Sequence, residues 1–296
     1  MDLAAVYALP FFKEAGFLRK TCASCQAHFW TLDAARTLCG DPPCVEYQFI
    51  GEPVSDKPYT LDTMRERFLG FLERKGHTRV ERAPVVARWR DDIYLSIASI
   101  AVFQPHVTGG AVPPPANPLA ISQPCIRLND VDSVGRSGRH LTTFEMMAHH
   151  VFNYPEGHPF HDASKQDKLY FSDRTTRLCQ EFLSKSLGVD GASVTYKEKP
   201  WAGGGNAGPA FEVLTHGLEV ATLVFMMWEA DAAGPVSLYG DSYREMPTKI
   251  VDTGYGLERL VWASNGAPSI YEALWPGLLK ELKQRAGLAH TSRSRP

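Results

Sequence analysis

The sequence predicts an α+β fold in which an antiparallel β-sheet is flanked by helices. Residues 123–147 alternate like two strands around a polar middle that holds Gly135 and Gly138, a pattern typical of an antiparallel hairpin with a long charged loop. Residues 219–228 are nearly all apolar, as in a strand buried on both faces. Residues 60–75 place apolar side chains at helical spacing with charges between them, which predicts a flanking helix.

Composition fits a protein with a normal folded core. The 296 residues are 44% hydrophobic and 22% charged, enough for one large domain with a small appended one or for two modest domains. The formal net charge of −2 argues mildly against extensive RNA contact, because proteins that sheathe nucleic acid usually carry a basic excess. No run of eighteen apolar residues occurs and residues 1–7 do not resemble a secretory signal, so we expect no membrane span and a cytoplasmic location.

Four early cysteines have the spacing of a zinc site. Two residues separate Cys22 from Cys25, four separate Cys39 from Cys44, and thirteen lie between the two pairs. Two such pairs can close on one tetrahedral Zn²⁺, whereas disulfides are less expected in a cytosolic chain and buried free thiols are the simpler alternative. Because four sulfur ligands leave no open position, the predicted zinc is structural and takes no part in chemistry.

Short elements and loops are expected between the first helix and the hairpin. Residues 78–84 predict a strand that ends at Pro84, where a missing amide donor favours an edge position. Residues 93–98 are predicted to form a buried strand. Residues 109–118 are rich in proline and have no regular period, which predicts a stiff loop.

The second half of the chain is predicted to contain further helices and no histidine metal site. His149 and His150 are expected to pack or form hydrogen bonds, because neighbours on a strand point to opposite sides and cannot both face one metal. Residues 173–187 and 271–286 have helical patterns. The predicted organisation is an N-terminal zinc-type segment (1–58), a main domain (59–290) and a flexible tail (291–296).

Several side chains in these segments suit a flat, phosphate-bearing ligand. Arg127 ends the first strand of the hairpin, where a planar guanidinium can bind a phosphate at two points. Phe144 and Glu145 fall on opposite faces of the second strand, so the ring can stack on a base while the carboxylate points away. Arg259 follows two close glycines within 251–262 and can cover the other side of whatever Phe144 touches. The alternative is an ordinary surface hairpin with solvated charges.

Together, the hairpin and residues 251–262 resemble motifs two and three of class II aminoacyl-tRNA synthetases, and in detail the catalytic domain of archaeal-type alanyl-tRNA synthetases. The resemblance extends through residues 87–92, 112–118, 201–209 and 221–226. Residues 60–84 resemble motif one, which in that family commonly builds a dimer interface, so a homodimer is possible. The glycine-rich 201–209 is predicted to be a loop and, because no GKT or GKS follows, it is not a P-loop.

The resemblance implies how the site is built. An adenylate-forming site positions ATP and neutralises the phosphate under attack, which needs no protein nucleophile. Arg127 and Arg259 would be catalytic, and Glu212 would hold Mg²⁺ between the phosphates, with an exposed strand glutamate as the alternative. The implied ATP-binding residues are Arg127, Phe144, Glu145, Met146, Glu212 and Arg259. The implied amino-acid-binding residues are Trp201, Thr222, Val224, Asp252 and Gly254, with Asp252 for the ammonium group.

The resemblance implies ATP-dependent activation of alanine to alanyl-adenylate. The family's tRNA-recognition and editing regions have no counterpart in the 296 residues, which favours a ligase that transfers alanine to a small-molecule acceptor. The alternative is the catalytic domain or subunit of a true alanyl-tRNA synthetase that charges tRNA. A third reading, a non-catalytic regulator that binds amino acid or nucleotide, is weakened by the intact Arg127, Asp252 and Arg259.

Overall fold

The structure, a computed structural model, describes residues 3–288 and has an α+β fold built on one large sheet. The α-helices are α1 (Leu3–Tyr7), α2 (Pro10–Ala15), α3 (Leu61–Arg74), α4 (Ser172–Glu181), α5 (Leu257–Asn265), α6 (Ile270–Leu274) and α7 (Pro276–Arg285). The strands are β1 (Leu18–Thr21), β2 (His28–Thr31), β3 (Thr78–Arg79), β4 (Leu119–Ile126), β5 (Thr143–Asn153), β6 (Thr195–Glu198), β7 (Trp201–Gly203), β8 (Asn206–Gly208), β9 (Ala210–Thr215), β10 (Leu218–Ala230), β11 (Val236–Leu238) and β12 (Asp241–Gly256). Short 3₁₀ turns occur at Ser99–Val102, Val131–Ser133, Ala163–Lys168 and Gly191–Ser193.

The strand order is β1-β2-β6-β9-β10-β12-β5-β4-β3, with β8 and β11 pairing beside β10 and β12. All pairs are antiparallel except β3 with β4, so the predicted antiparallel sheet flanked by helices is confirmed with one parallel edge. The predicted hairpin is also present, because β4 and β5 pair antiparallel and the residues between them form a long loop. The N-terminal strands extend this same sheet through the pairing of β2 with β6.

Helix α3 confirms the helix predicted over 60–75. Its first turn is closed by a capping box, in which the Thr60 side chain accepts from the Thr63 amide and the Thr63 side chain from the Thr60 amide. Met64, Phe68 and Leu72 are buried along one face. The Phe68 ring lies 4.8 Å from the Tyr255 ring of β12, so the apolar stripe packs the helix onto the sheet.

The two faces of the sheet bury different apolar clusters. Leu223 and Val251 point into the main core beside the α-helices, whereas Val224 and Ile250, one residue away on the same strands, belong to a second cluster with Phe103. This alternation follows from the period of two along a strand. One face of the sheet therefore packs against the α-helices in the main core. The other face is covered mainly by loops, and the candidate site lies there.

Two sequence predictions are wrong in local detail. Residues 93–98 form no buried strand, because their backbone bonds to residues 85–87 in a surface loop, and Tyr94 is 92% exposed. The predicted helix 271–286 is divided into α6 and α7, since Pro276 lacks an amide donor and starts a new helix.

Other segments differ more mildly. The strand predicted over 78–84 is only the two residues of β3, and the predicted loop 201–209 contains the short ribbon β7–β8. The helix predicted over 173–187 forms as α4, with its last turn widened into a π-turn at Phe182–Ser186. The predicted tail, 291–296, lies outside the described residues.

Candidate active site

The candidate site lies on the sheet face opposite the main core. The register places Thr222 beside Glu212 on one neighbouring strand and beside Gly254 on the other. Val224 pairs with Asp252 one row further along. Because directly paired side chains share a face, the structure brings these five residues, all singled out from the sequence, into one patch.

Small and apolar groups surround the Asp252 carboxyl. A Cβ placed on Gly254 would lie 2.9 Å from the Met146 Sδ, so glycine is what allows the Met146 side chain to lie against this strand. Trp201, on β7, packs against the same apolar cluster as Val224. The patch therefore combines small and apolar groups with the carboxyl groups of Asp252 and Glu212.

Asp252 is buried beside a histidine. Burial raises the pKa of Asp252 to about 8, because a carboxylate loses its hydration in this environment. The Nδ1 of His150 lies 3.5 Å from the Asp252 Oδ1, and neither ring nitrogen of His150 has a hydrogen-bond partner among the described residues. Burial lowers the pKa of His150 to about 3, so this imidazole is neutral near neutral pH. The pair therefore presents a protonated carboxyl that a bound cation would ionise.

A cavity of about 410 Å³ opens beside Arg259. The Arg259 Nη1 donates to the Glu219 carboxylate at 3.0 Å and to the Glu219 carbonyl at 3.1 Å. Arg139 and His140, from the loop between β4 and β5, line the same cavity. The cavity thus combines two arginines and a histidine with the carboxylates of Glu219 and Asp41, and its guanidinium groups suit a phosphate-bearing ligand. Its remaining lining residues are Asp41, Pro42, Pro43, Tyr47, Leu218 and Trp262.

Arg127 is the cation that covers Phe144. Its guanidinium carbon lies 5.1 Å from the Phe144 ring centroid, and its Nε donates to the Ile97 carbonyl at 2.8 Å. Burial lowers the pKa of Arg127, and the charge of Arg259 adds to this effect. The sequence analysis expected Arg259 opposite Phe144, whereas in this structure Arg259 is held by Glu219.

Glu145 points away from Phe144, as the strand period predicts. Its carboxylate accepts from Nε and Nη2 of Arg65, both at 2.7 Å, and from the Ser122 hydroxyl at 2.8 Å. Burial alone would raise the pKa of Glu145, but the hydrogen bonds from Arg65 and Ser122 have the larger combined effect and hold the pKa below its usual value. Its backbone amide donates to both carboxylate oxygens of Glu258, at 2.9 and 3.1 Å. These contacts tie β5 to α3 and α5.

Glu212 is buried, so the alternative of an exposed strand glutamate is wrong. Its carboxylate accepts from Lys197 at 2.9 Å and from Lys199. Lys197 also donates to Asp41 at 2.5 Å. Two lysines and two carboxylates therefore form a closed, charge-balanced group at the edge of the site.

Sequence reasoning missed Glu219, Arg139, His140 and Asp41 as members of the site. Glu219 had one available signal, since it is a charged residue at the start of an otherwise apolar strand. The role of Glu219 in the site depends on its ion pair with Arg259, which lies forty residues later in the chain and is brought close only by the fold.

The four early cysteines come together as predicted. Their Sγ atoms all lie within 4.8 Å of one another, and those of Cys25 and Cys39 are 3.8 Å apart. Tetrahedral Zn²⁺ with bonds of about 2.3 Å requires sulfur atoms roughly 3.8 Å apart, so this arrangement fits the ion. Cys22 and Cys39 are buried, Cys44 is partly buried and Cys25 is exposed, so the cluster lies at the protein surface with two of its four thiols shielded from solvent.

Comparison with known proteins identifies the class of protein that this fold and site define. Residues 63–291 match the family model of the class II (A) tRNA synthetases, and the chain belongs to that family. Its relatives are more specific. It is 62% identical over 284 residues to an alanine–tRNA ligase of Methanothrix thermoacetophila and 60% identical over 284 residues to one of Methanosarcina barkeri. It is 59% identical over 268 residues to that of Archaeoglobus fulgidus.

The chain corresponds to part of these relatives. The matches cover 96% of this chain but 30% of the Methanothrix and Methanosarcina proteins, and 90% of it but 28% of the Archaeoglobus protein. A solved pyrrolysyl tRNA synthetase of Desulfitobacterium hafniense covers 74% of this chain and 73% of its own, at 15% identity and a TM-score of 0.44, an overlap too weak to support an argument. Among residues 3–288, none of the helices combines the length and apolarity that a bilayer crossing requires.

Proposed function

We propose that this chain is the activating domain of an alanyl-tRNA synthetase, which joins alanine to ATP as alanyl-adenylate with release of pyrophosphate and then charges tRNA. The observation that carries the proposal is the buried Asp252 carboxyl within a small apolar surround, in a chain about 60% identical to alanine–tRNA ligases. Such a surround suits a short side chain, and the carboxyl suits its ammonium group.

The cations of the site supply the electrostatics that adenylate formation needs. The alanine carboxylate oxygen attacks the α-phosphorus, and the bond from that phosphorus to the bridging oxygen of pyrophosphate breaks. Arg127 would neutralise the α-phosphate, while Phe144 and Arg259 would take the two faces of adenine. Arg139 and His140 line the cavity beside Arg259 and suit the remaining phosphates. The stacking assignment requires Arg127 to leave the Phe144 ring, which it covers in this structure.

Magnesium binding needs a carboxylate that reaches the phosphates. The residue expected from the sequence, Glu212, is engaged by Lys197 and Lys199 and would exchange one of these contacts for the ion. Glu219 lines the cavity directly and provides a second carboxylate. We therefore assign Mg²⁺ to Glu212 with Glu219 as a candidate co-ligand. Of the other expected ATP ligands, Met146 lies within the same sheet face, while Glu145 is turned toward Arg65.

Binding of an ammonium group gives a functional reason for the raised pKa of Asp252. An ionised carboxylate is disfavoured there, and the incoming ammonium would provide the missing counter-charge. Val224, Gly254 and Trp201 would limit the side chain to about the size of a methyl group. A missing methyl group, as in glycine, or an added hydroxyl, as in serine, is discriminated weakly by an apolar pocket, so we expect detectable activation of both.

Two partner assignments accompany this proposal. Cys22, Cys25, Cys39 and Cys44 would hold a structural Zn²⁺. The relatives are named for tRNA, and tRNA is therefore the acceptor we propose. A small-molecule acceptor and a homodimer, both expected from the sequence, remain predictions with no structural observation in their favour.

The test is ATP–pyrophosphate exchange driven by alanine, together with charging of the matching tRNA by the same chain. Asp252→Asn is expected to abolish alanine-dependent exchange, whereas Asp241→Asn, on the exposed end of the same strand, is expected to leave it unchanged. Wild-type chain that binds ATP but shows no exchange with alanine would refute the activating role. Exchange with alanine but without tRNA charging would support alanine activation and would not support transfer to tRNA by this chain.

A further inference from the structure

The loop between Cys39 and Cys44 forms part of the wall of the nucleotide cavity. Both ends of this loop are cysteines of the cluster, and four residues lie between them. Three of those four, Asp41, Pro42 and Pro43, line the cavity that also contains Arg259 and Glu219. A Zn²⁺ ion bound by Cys39 and Cys44 would therefore fix the position of residues that line the nucleotide cavity.

The loop docks tightly on β6. The Thr195 hydroxyl donates to the Cys39 carbonyl at 2.6 Å in a buried position. Gly40 has a φ of +93°, and a Cβ there would lie 3.1 Å from the Thr195 Oγ1. The backbone approach and the left-handed conformation both depend on glycine, so the docking leaves little freedom for the loop to shift.

Asp41 connects the loop to the site itself. It accepts from Lys197 at 2.5 Å, and the same ammonium group donates to Glu212 at 2.9 Å. The side chains of Lys197 and Glu212 are 12% and 10% exposed, so this contact is shielded from solvent and is worth more than a surface ion pair. Just beyond the loop, the Tyr47 hydroxyl accepts from Arg139 at 3.0 Å. Two cavity walls are thus held by the segment that the cysteines anchor.

We propose that the cysteine cluster positions the nucleotide cavity, with Asp41 as the positioning residue that links the two, so that Zn²⁺ and ATP bind cooperatively. This inference rests on the proposed function, because it takes the cavity as part of the ATP site. It revises the expectation that the metal is a structural accessory with no influence on the chemistry. Linkage makes the coupling reciprocal, so bound ATP also retains the metal.

The coupling is selective for the nucleotide. Asp252 and Val224, proposed for alanine, do not line this cavity. In the sheet order Val224, on β10, lies two strands from Lys197, and Asp252, on β12, lies three strands from it. A general loss of structure would weaken both ligands, whereas release of the loop weakens only ATP. The comparison of the two affinities therefore separates positioning from global stability.

The first experiment measures the binding of Mg-ATP and of alanine by calorimetry, on the zinc-loaded chain and on the chain stripped with a chelator. We expect ATP affinity to fall about ten-fold on stripping and alanine affinity to change by less than about two-fold, within the usual range of coupling between sites. Cys44→Ser is expected to reproduce the loss, and Cys179→Ala, a buried cysteine outside the cluster, is expected to retain both metal and affinity.

The second experiment isolates Asp41 with the metal in place. Asp41→Asn and Asp41→Ala remove the same charge, but only asparagine keeps an oxygen within reach of Lys197. We expect unchanged zinc content in both variants, and ATP binding several-fold weaker in Asp41→Ala than in Asp41→Asn. Charge alone would give the two variants equal affinities.

The outcomes are distinct. Equal ATP affinity in zinc-loaded and stripped chain, or equal affinity of the two Asp41 variants, would overturn the inference. Parallel weakening of alanine and ATP on stripping would also overturn it, in favour of general destabilisation. Absence of ATP binding by the zinc-loaded wild type would instead refute the proposed function.

Discussion

The affinity for alanine is expected to rise with pH because of the state of Asp252. Burial raises the pKa of this carboxyl from 3.8 to about 8, and a change of one in pKa corresponds to about 1.36 kcal/mol. Ionising Asp252 in the free protein therefore costs several kcal/mol more than in water. An ammonium ligand requires the ionised form, so each alanine that binds below pH 8 releases one proton.

The size of the effect follows from this proton. Between pH 8 and pH 6 the ionised fraction falls from about one half to about one hundredth, so alanine affinity is expected to fall about fifty-fold. His150, the titratable group that faces Asp252, has a pKa of about 3 and stays neutral throughout this window. The alanine amino group stays protonated there, so we expect the ionisation of Asp252 to set the slope.

Calorimetry in two buffers of different ionisation enthalpy measures both the affinity and the number of protons released. Asp252→Asn is expected to bind alanine weakly at every pH and to release no proton. The folding stability of the ligand-free protein provides a second measurement, and it is expected to change with pH in the direction opposite to alanine affinity. Folded Asp252 keeps a proton that the unfolded chain loses, so its contribution to stability decreases as pH rises from about 4 to 8. Alanine affinity that stays constant between pH 6 and pH 8 would refute this reasoning.

Three further outcomes are expected. Arg259→Ala should reduce pyrophosphate exchange by roughly one-hundred-fold with little change in melting temperature, because the side chain is half exposed and bonds only to Glu219 among the described residues. Arg244→Ala, which changes an exposed arginine of β12, is the control. Near-normal exchange in Arg259→Ala would contradict the proposed role. Glu258→Ala should raise the KM for ATP several-fold, because the Glu258 carboxylate accepts from the Glu145 amide and so connects the residues next to Arg259 and Phe144. Glu258→Gln keeps an acceptor oxygen and should have a KM close to that of the wild type. Equal KM values in the two variants would argue against a role for this contact. Chain purified under reducing conditions should contain one Zn²⁺ by elemental analysis, and a metal-free result would rule out the cluster of Cys22, Cys25, Cys39 and Cys44.

Local patterns were sufficient to predict the main elements. The hairpin of β4 and β5 follows from alternation, helix α3 from helical spacing, and the buried strand β10 from a nearly continuous apolar run. Residues 93–98 misled this reasoning, because an apolar run at the surface has the same pattern as a buried strand. Burial depends on neighbours that no short window contains.

The sequence analysis named several residues that the structure brings together, but it did not predict their contacts. The patch of Glu212, Asp252 and Gly254 was expected, yet the two lysines that hold Glu212 were not. The cysteine spacing predicted a metal cluster, but it gave no sign that the loop of Asp41 borders the cavity. These contacts join segments far apart in the chain, and only the strand order brings them together.

The pairing of β5 with β12 places Phe144 and Asp252, which belong to distant parts of the chain, on neighbouring strands of one sheet. The exposed 3₁₀ turn Ala163–Lys168 lies between these strands in sequence. A single proteolytic cut in that turn would leave the stacking ring on one fragment and the acidic group on the other. Neither fragment would then hold a complete site, and reassociation through this strand pair would be needed to restore both ligands.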